Sequence, residues 1–184
     1  MASQLQIHFL LDDLQSPINI GKVARVAEIF QMGLYIHDAH KILQKQNNTA
    51  IISDFACGAW ERRVYKEVPD IQLFTSNYKQ GRVVATCLRE DSVRLHDFKF
   101  EHNDIIIFGN EYDGVRNEII DNDSARLYIA MPKFILPKPK SNSPIDPSRD
   151  YEVNQNGVPS LNVAVAAGIV GYEYYCYLEQ KNLV

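Results

Sequence analysis

The sequence predicts an α/β fold: a mostly parallel sheet with helices on both faces. Three observations predict it. Segments with strand character alternate with segments of helical spacing along most of the chain. One of them, Asp104–Phe108, runs through three isoleucines into Phe and then Gly, as a strand buried on both faces does. Strands separated by helices need crossover connections, and crossovers make neighbouring strands parallel. The 184 residues, 46% of them hydrophobic, are enough for one domain with a self-sufficient core.

Taken in order, Leu5–Leu11 reads as a strand, alternating at first and apolar at its end. Asn19–Met32 has helical spacing through Ile20, Val23, Val26, Ala27 and Phe30, with Gly33 as its stop. Leu34–His37 is a short strand, and Thr49–Ala56 is helical, ending near Gly58. Arg63–Val68 is a strand stopped by Pro69, and Asp70–Tyr78 is a weaker helix. Arg82–Cys87 is a β-branched strand, and Val115–Ile120 is a short helix behind the Asp104–Phe108 strand. Arg126–Met131 is the last strand, and Ser160–Gln180 is a long closing helix. Between these two, Lys133–Pro159 carries five prolines and no apolar periodicity, so it reads as an insertion in a single domain spanning residues 1–184.

Several classes are excluded. A net charge of −4 argues against a histone-like polyanion binder, although local patches such as Lys22 with Arg25 can still steer an RNA. No basic region followed by an apolar stretch opens the chain, so no secretory signal is read. Leu161–Leu178 is interrupted by Asn162, Glu173 and several tyrosines, so it reads as a buried helix rather than a membrane span. Cys57, Cys87 and Cys176 lack zinc or redox spacing and are expected to be buried thiols in a reducing cytoplasm. His37 and His40 lack a third ligand and are expected to be surface or loop histidines, so no metal is expected.

Ligands on such sheets bind beyond the carboxyl ends of the strands. Three segments there can carry chemistry. Pro17-Ile-Asn19-Ile-Gly21 leads to Arg25: Asn19 can cap the helix, and Gly21 gives backbone access. Arg25, four residues on from Gly21, shares its face. A helix start with a guanidinium welcomes an anion. Gly109-Asn110-Glu111-Tyr-Asp113-Gly114 follows the best strand, and its two glycines let amides approach a ligand. Ser160-Leu161-Asn162 opens the closing helix, with Ser160 as a natural cap. Taken singly, each also fits a capped helix or a glycine turn with no further role.

Together, in this order, the three segments resemble the SpoU (TrmH-type) family of the SPOUT RNA methyltransferases. Pro17, Asn19, Gly21 and Arg25 match its first motif, and Gly109 to Gly114 its second. Ile129 to Pro132 with Ser160 to Ala167 match its third, and the 133–159 insertion is the main departure. The resemblance implies a deep trefoil knot in the C-terminal half and a homodimer with a shared active site. It implies transfer of a methyl group from S-adenosylmethionine to a ribose 2′-hydroxyl of tRNA or rRNA, in the cytoplasm, with no membrane partner. Arg25, Asn19, Glu111, Ser160 and Asn162 are then the catalytic set, with Asn19 and Glu111 fixing Arg25. Thr86, Leu88, Gly109, Asn110, Glu111, Gly114, Ile129, Met131, Ser160, Leu161 and Asn162 are expected around the cofactor. The chain would be a minimal catalytic core. The competing expectations are a catalytically idle relative that binds RNA or cofactor, and a flavodoxin-like small-molecule binder using the Gly109–Gly114 turn.

Overall fold

A computed structural model describes residues 5–62, 65–111, 113–121, 124–132 and 161–183. Residues 1–129 and 162–184 make up one compact unit. Residues 130–161 make up a second, of which Ala130, Met131, Pro132 and Leu161 are described. The 133–159 insertion and Ser160 lie outside the described residues, and with them the course of the expected knot.

In the first unit, seven described strands form one parallel sheet. They are β1 (His8–Asp12), β2 (Gly33–His37), β3 (Lys66–Glu67), β4 (Val83–Thr86), β5 (Val93–Arg94), β6 (Ile105–Phe108) and β7 (Ala125–Tyr128). Their spatial order is β3-β2-β1-β6-β4-β7-β5. The centre is β1 beside β6, in register Phe9↔Ile106 and Leu10↔Ile107. All four residues of β6 are buried, as the isoleucine run predicts.

Alternate side chains feed two cores, because successive residues of a strand face opposite sides. Phe9, Leu11, Ile106 and Phe108 join the larger one. It is closed by α1 (Pro17–Ile29), α2 (Asn48–Ala56), α3 (Ala59–Arg62) and α6 (Val163–Gln180). Leu10, Ala85, Ile105 and Ile107 join the smaller one, closed by Ile71 of α4 (Ile71–Asn77) and Ile119 and Ile120 of α5 (Asn117–Ile120). Both faces of the sheet therefore carry helices. No helix among the described residues is long and apolar enough to cross a membrane.

Several expectations about element ends need correction. The α1 cap is Ser16, whose side chain accepts from Asn19 N, with Pro17 inside the first turn. Proline is welcome there because its missing N–H would have no helical partner, so it fixes the cap one residue earlier. Gly33 does not stop this helix. The left-handed position after Phe30 is Gln31, at φ 55°, and Gly33 opens β2. A Cβ at Gly33 would stand 2.2 Å from His8 Nδ1, so the glycine serves close packing. The closing helix is capped by Asn162, which accepts from Ala164 N at 3.0 Å. Strand β3 shrinks to two exposed residues.

His8 carries a pH dependence. Burial, assisted by Lys66, holds its imidazole below the ordinary value against an opposing hydrogen bond with Asn103. Its Nδ1 is buried without a partner among the described residues. The unfolded chain therefore takes up this proton at a higher pH than the fold does. Stability from this group is complete above about pH 6.5 and is lost as pH falls through the folded value. Melting temperatures measured between neutral and mildly acid pH should fall more steeply for the natural protein than for His8→Gln. Parallel slopes would contradict this.

Candidate functional site

Because the sheet is parallel, the turns after β1 and β6 leave its same edge, side by side. The turn after β6 is built on two glycines. Gly109 packs so tightly that a Cβ would lie 1.9 Å from the carbonyl carbon of Gly114. Gly114 has a positive φ of 69° and open space where its Cβ would be. Asn110 closes the turn: its carbonyl accepts from Gly114 N at 3.1 Å, and its side-chain oxygen accepts from Asp113 N at 2.8 Å.

This turn holds Glu111 toward the start of α1. One carboxylate oxygen accepts from Asn19 Nδ2 at 2.7 Å and the other from the backbone N–H of Gln15 at 3.1 Å. Asn19 is buried, and its side-chain oxygen accepts from Asn162 Nδ2 at 3.1 Å. Asn162 in turn spends its own oxygen capping α6. The three segments singled out in the sequence thus meet through one chain of hydrogen bonds, Glu111–Asn19–Asn162. The path is polar and partly buried, where a satisfied network holds its members rigidly.

Arg25 does not join this chain, contrary to expectation. It lies six residues after Asn19, about 9 Å further along the helix axis, and is exposed. Its Nη1 donates to Cys57 Sγ at 3.1 Å. Asn19 and Glu111 therefore fix each other, not Arg25. Cys57 is also a correction: it is exposed, at φ 52° after α2, and Cys87 and Cys176 are only part-buried, although all three thiols are free. Burial holds the Cys87 thiol above its ordinary value.

The expected cofactor residues divide in the same way. Thr86 donates its hydroxyl to Ile107 O at 2.8 Å, stitching β4 to β6. Leu88, just beyond β4, is 61% exposed at the carboxyl edge of the sheet. Ile129 packs against the larger core. Met131 and Leu161 belong to the second unit, and Ser160 lies outside the described residues. Two cavities, of about 370 and 130 Å³, include none of the expected cofactor residues. Among the described residues, no group of three His, Cys, Asp or Glu side chains is set to hold a metal ion.

The sequence reading missed a second set of anchors. Asp12, buried at the end of β1, accepts from His37 Nδ1 at 2.8 Å and from Arg116 Nε at 3.0 Å. Asp13, at φ 60°, accepts from His40 N and faces His40 Nδ1 at 2.6 Å. His37 is thus buried rather than a surface histidine. Arg116 ties the segment after the glycine turn to the same strand end that leads into α1. The signal was the Asp12-Asp13 pair closing an apolar strand, since a carboxylate there needs a cation.

Comparisons with known proteins place the sequence and the fold. The model of the SpoU rRNA Methylase family matches residues 6–135. A tRNA (guanosine(18)-2′-O)-methyltransferase of Aquifex aeolicus is 30% identical over 175 residues, 94% of this chain and 70% of that protein. A solved structure described as "Structural insights into the 2-OH methylation of C/U34 on tRNA" is similar in fold, with a TM-score of 0.73 at 23% identity. That likeness covers 97% of this chain and 99% of that one. An AdoMet-bound rRNA methyltransferase from Sinorhizobium meliloti has a TM-score of 0.70 at 18% identity, covering 94% of this chain and 57% of that one.

Proposed function

The chain belongs to the SpoU rRNA Methylase family and is an S-adenosylmethionine-dependent RNA 2′-O-methyltransferase; from this premise we propose that it methylates tRNA as a homodimer with a shared site. The observation that carries the site is the Glu111–Asn19–Asn162 chain, which gathers three distant segments at the carboxyl edge of the sheet. The tRNA substrate is supported by the activity named for the Aquifex aeolicus relative. The homodimer is supported by α6, where Val165, Ile169 and Tyr172 leave an apolar stripe 50%, 37% and 61% exposed. In a dimer with a shared site, the Arg25 that serves the Asn19–Glu111 pair would come from the second copy, which fits the separation of Arg25 from Asn19 within one chain. Three free thiols suit a reducing cytoplasm.

In this reading S-adenosylmethionine, when bound, supplies an electrophilic methyl group. Gly109, Asn110 and Gly114 would hold it through backbone groups, Leu88 and Ile129 through apolar contact, and Thr86 at the edge. Arg25 holds the phosphate beside the target ribose with its forked donors. A guanidinium does not give up its proton in a protein, so Arg25 stabilises developing alkoxide charge instead of acting as base, and the hydroxyl proton leaves to the neighbouring RNA phosphate or to solvent water. Asn19, Glu111 and Asn162 keep the walls of the site in place, so that the hydroxyl is held in line for transfer.

The test is transfer of labelled methyl groups to purified tRNA and, separately, to rRNA. Nucleoside mass spectrometry then identifies the product. A 2′-O-methylated nucleoside in tRNA, in a linkage that resists alkali, is expected. Label only in rRNA would overturn the tRNA substrate, and label on a base would overturn the ribose chemistry. Asn162→Ala removes both the α6 cap and the bond to Asn19. We expect a loss of about 1 kcal/mol in stability, with weaker cofactor affinity and slower turnover. Calorimetric titration and initial rates both matching the natural protein would reject the role.

A further inference from the structure

We propose that Phe55 is a stacking platform for an unpaired nucleobase of the RNA substrate, flanked by Lys22 and Arg25. The proposal rests on the RNA methyltransferase reading and adds to it the face that holds the RNA. It starts from a close approach of two helices. A Cβ on Gly21 would lie 2.4 Å from Ile52 O and 3.1 Å from Phe55 Cβ, so only glycine lets α2 settle on α1 here. That contact seats Phe55 over the face of α1 that carries Lys22 and, one turn on, Arg25.

Phe55 is 40% exposed although α2 has a core side, through Ile52 and Ala56, to which an aromatic ring would ordinarily turn. Lys22 Nζ stands 5.7 Å from the centre of its ring. Arg25 is anchored to Cys57, two residues beyond Phe55. The two cations differ from their neighbour Arg62, which is held by both oxygens of Glu28 at 2.8 Å. Among the described residues, neither Lys22 nor Arg25 is paired with a carboxylate. The patch therefore offers uncompensated positive charge on a chain of net charge −4. An exposed ring between such cations matches a nucleotide: the base lies on the ring, and the phosphates on either side meet the cations. A second copy of this chain would bring the ring apolar surface but leave both charges unanswered.

The experiment measures binding of a short, single-stranded RNA carrying a fluorescent purine analogue, by anisotropy and by stacking-dependent quenching. Phe55→Ala should weaken binding roughly tenfold and abolish the quenching, whereas Phe55→Trp should keep both. Lys22→Ala should weaken binding less and reduce its salt dependence by about one counterion. Cofactor affinity and the oligomeric state should match the natural protein in every variant. Unchanged RNA affinity in Phe55→Ala, or a shift in its oligomeric state by light scattering, would overturn the platform. If the natural protein binds the RNA with quenching yet transfers no methyl group to tRNA or rRNA, the platform stands and the methyltransferase reading fails. Methylation with an unaffected Phe55→Ala has the opposite meaning.

Discussion

Arg25→Ala is expected to lower methyl transfer by about two to three orders of magnitude, the usual effect of deleting a group that meets developing charge. Cofactor affinity should stay near that of the natural protein. The reason is positional. Arg25 is on an exposed turn of α1, outside the Glu111–Asn19–Asn162 chain, and it donates to the Cys57 thiol. Removing it leaves the glycine turn after β6 untouched. Stability should change by less than about 0.5 kcal/mol, as for an exposed side chain with one weak partner. Arg25→Lys should recover only part of the rate, because an ammonium keeps the charge but loses the fork. Single-turnover rates beside calorimetric titration with S-adenosylmethionine check both halves. Cofactor affinity lost along with the rate would place Arg25 in the cofactor site and contradict this account.

Gly109→Ala should act in the opposite sense and strike cofactor binding first. The new methyl group would fall 1.9 Å from Gly114 C, 2.0 Å from Gly114 O and 2.2 Å from Val115 N. These are backbone atoms, and none can rotate away. The turn must open, and the Asn110–Gly114 pairing opens with it. Glu111 then loses its aim on Asn19 and on Gln15. We expect a stability loss of about 3 kcal/mol, at the upper end for overpacking, and cofactor binding weakened beyond ready measurement. Chemical denaturation and titration on the same sample decide it. Gly114→Ala is the useful contrast: it has open space but a positive φ, so its cost is conformational. Equal behaviour of the two variants would show that close packing is not the cause.

The central strands were legible because burial on both faces writes itself as unbroken apolar runs, as in Ile105–Phe108. Strand β5 was not, since Val93–Arg94 is an exposed pair that its partner strand alone defines, whereas the strand expected over Arg63–Val68 is found as Lys66–Glu67 among the described residues. The α1 cap was misread because Asn19 and Ser16 are both good caps, and Pro17 was the deciding residue. At the site, Asn19, Glu111 and Asn162 were marked by their motifs, and the structure joins them. Spacing along one helix could not show that Asn19 faces the sheet edge while Arg25 faces outward. Nor could it show that Asp12 would draw in both His37 and Arg116, a contact spanning more than half of the chain.

The bond from Asn162 to Asn19 joins positions 143 residues apart. During synthesis the sheet's two central strands are complete long before that partner leaves the ribosome. A nascent chain can therefore pair β1 with β6 while Asn19 still lacks its Asn162 partner. Under the proposed function, a chain released before Asn162 is expected to lack this bond and to transfer no methyl group.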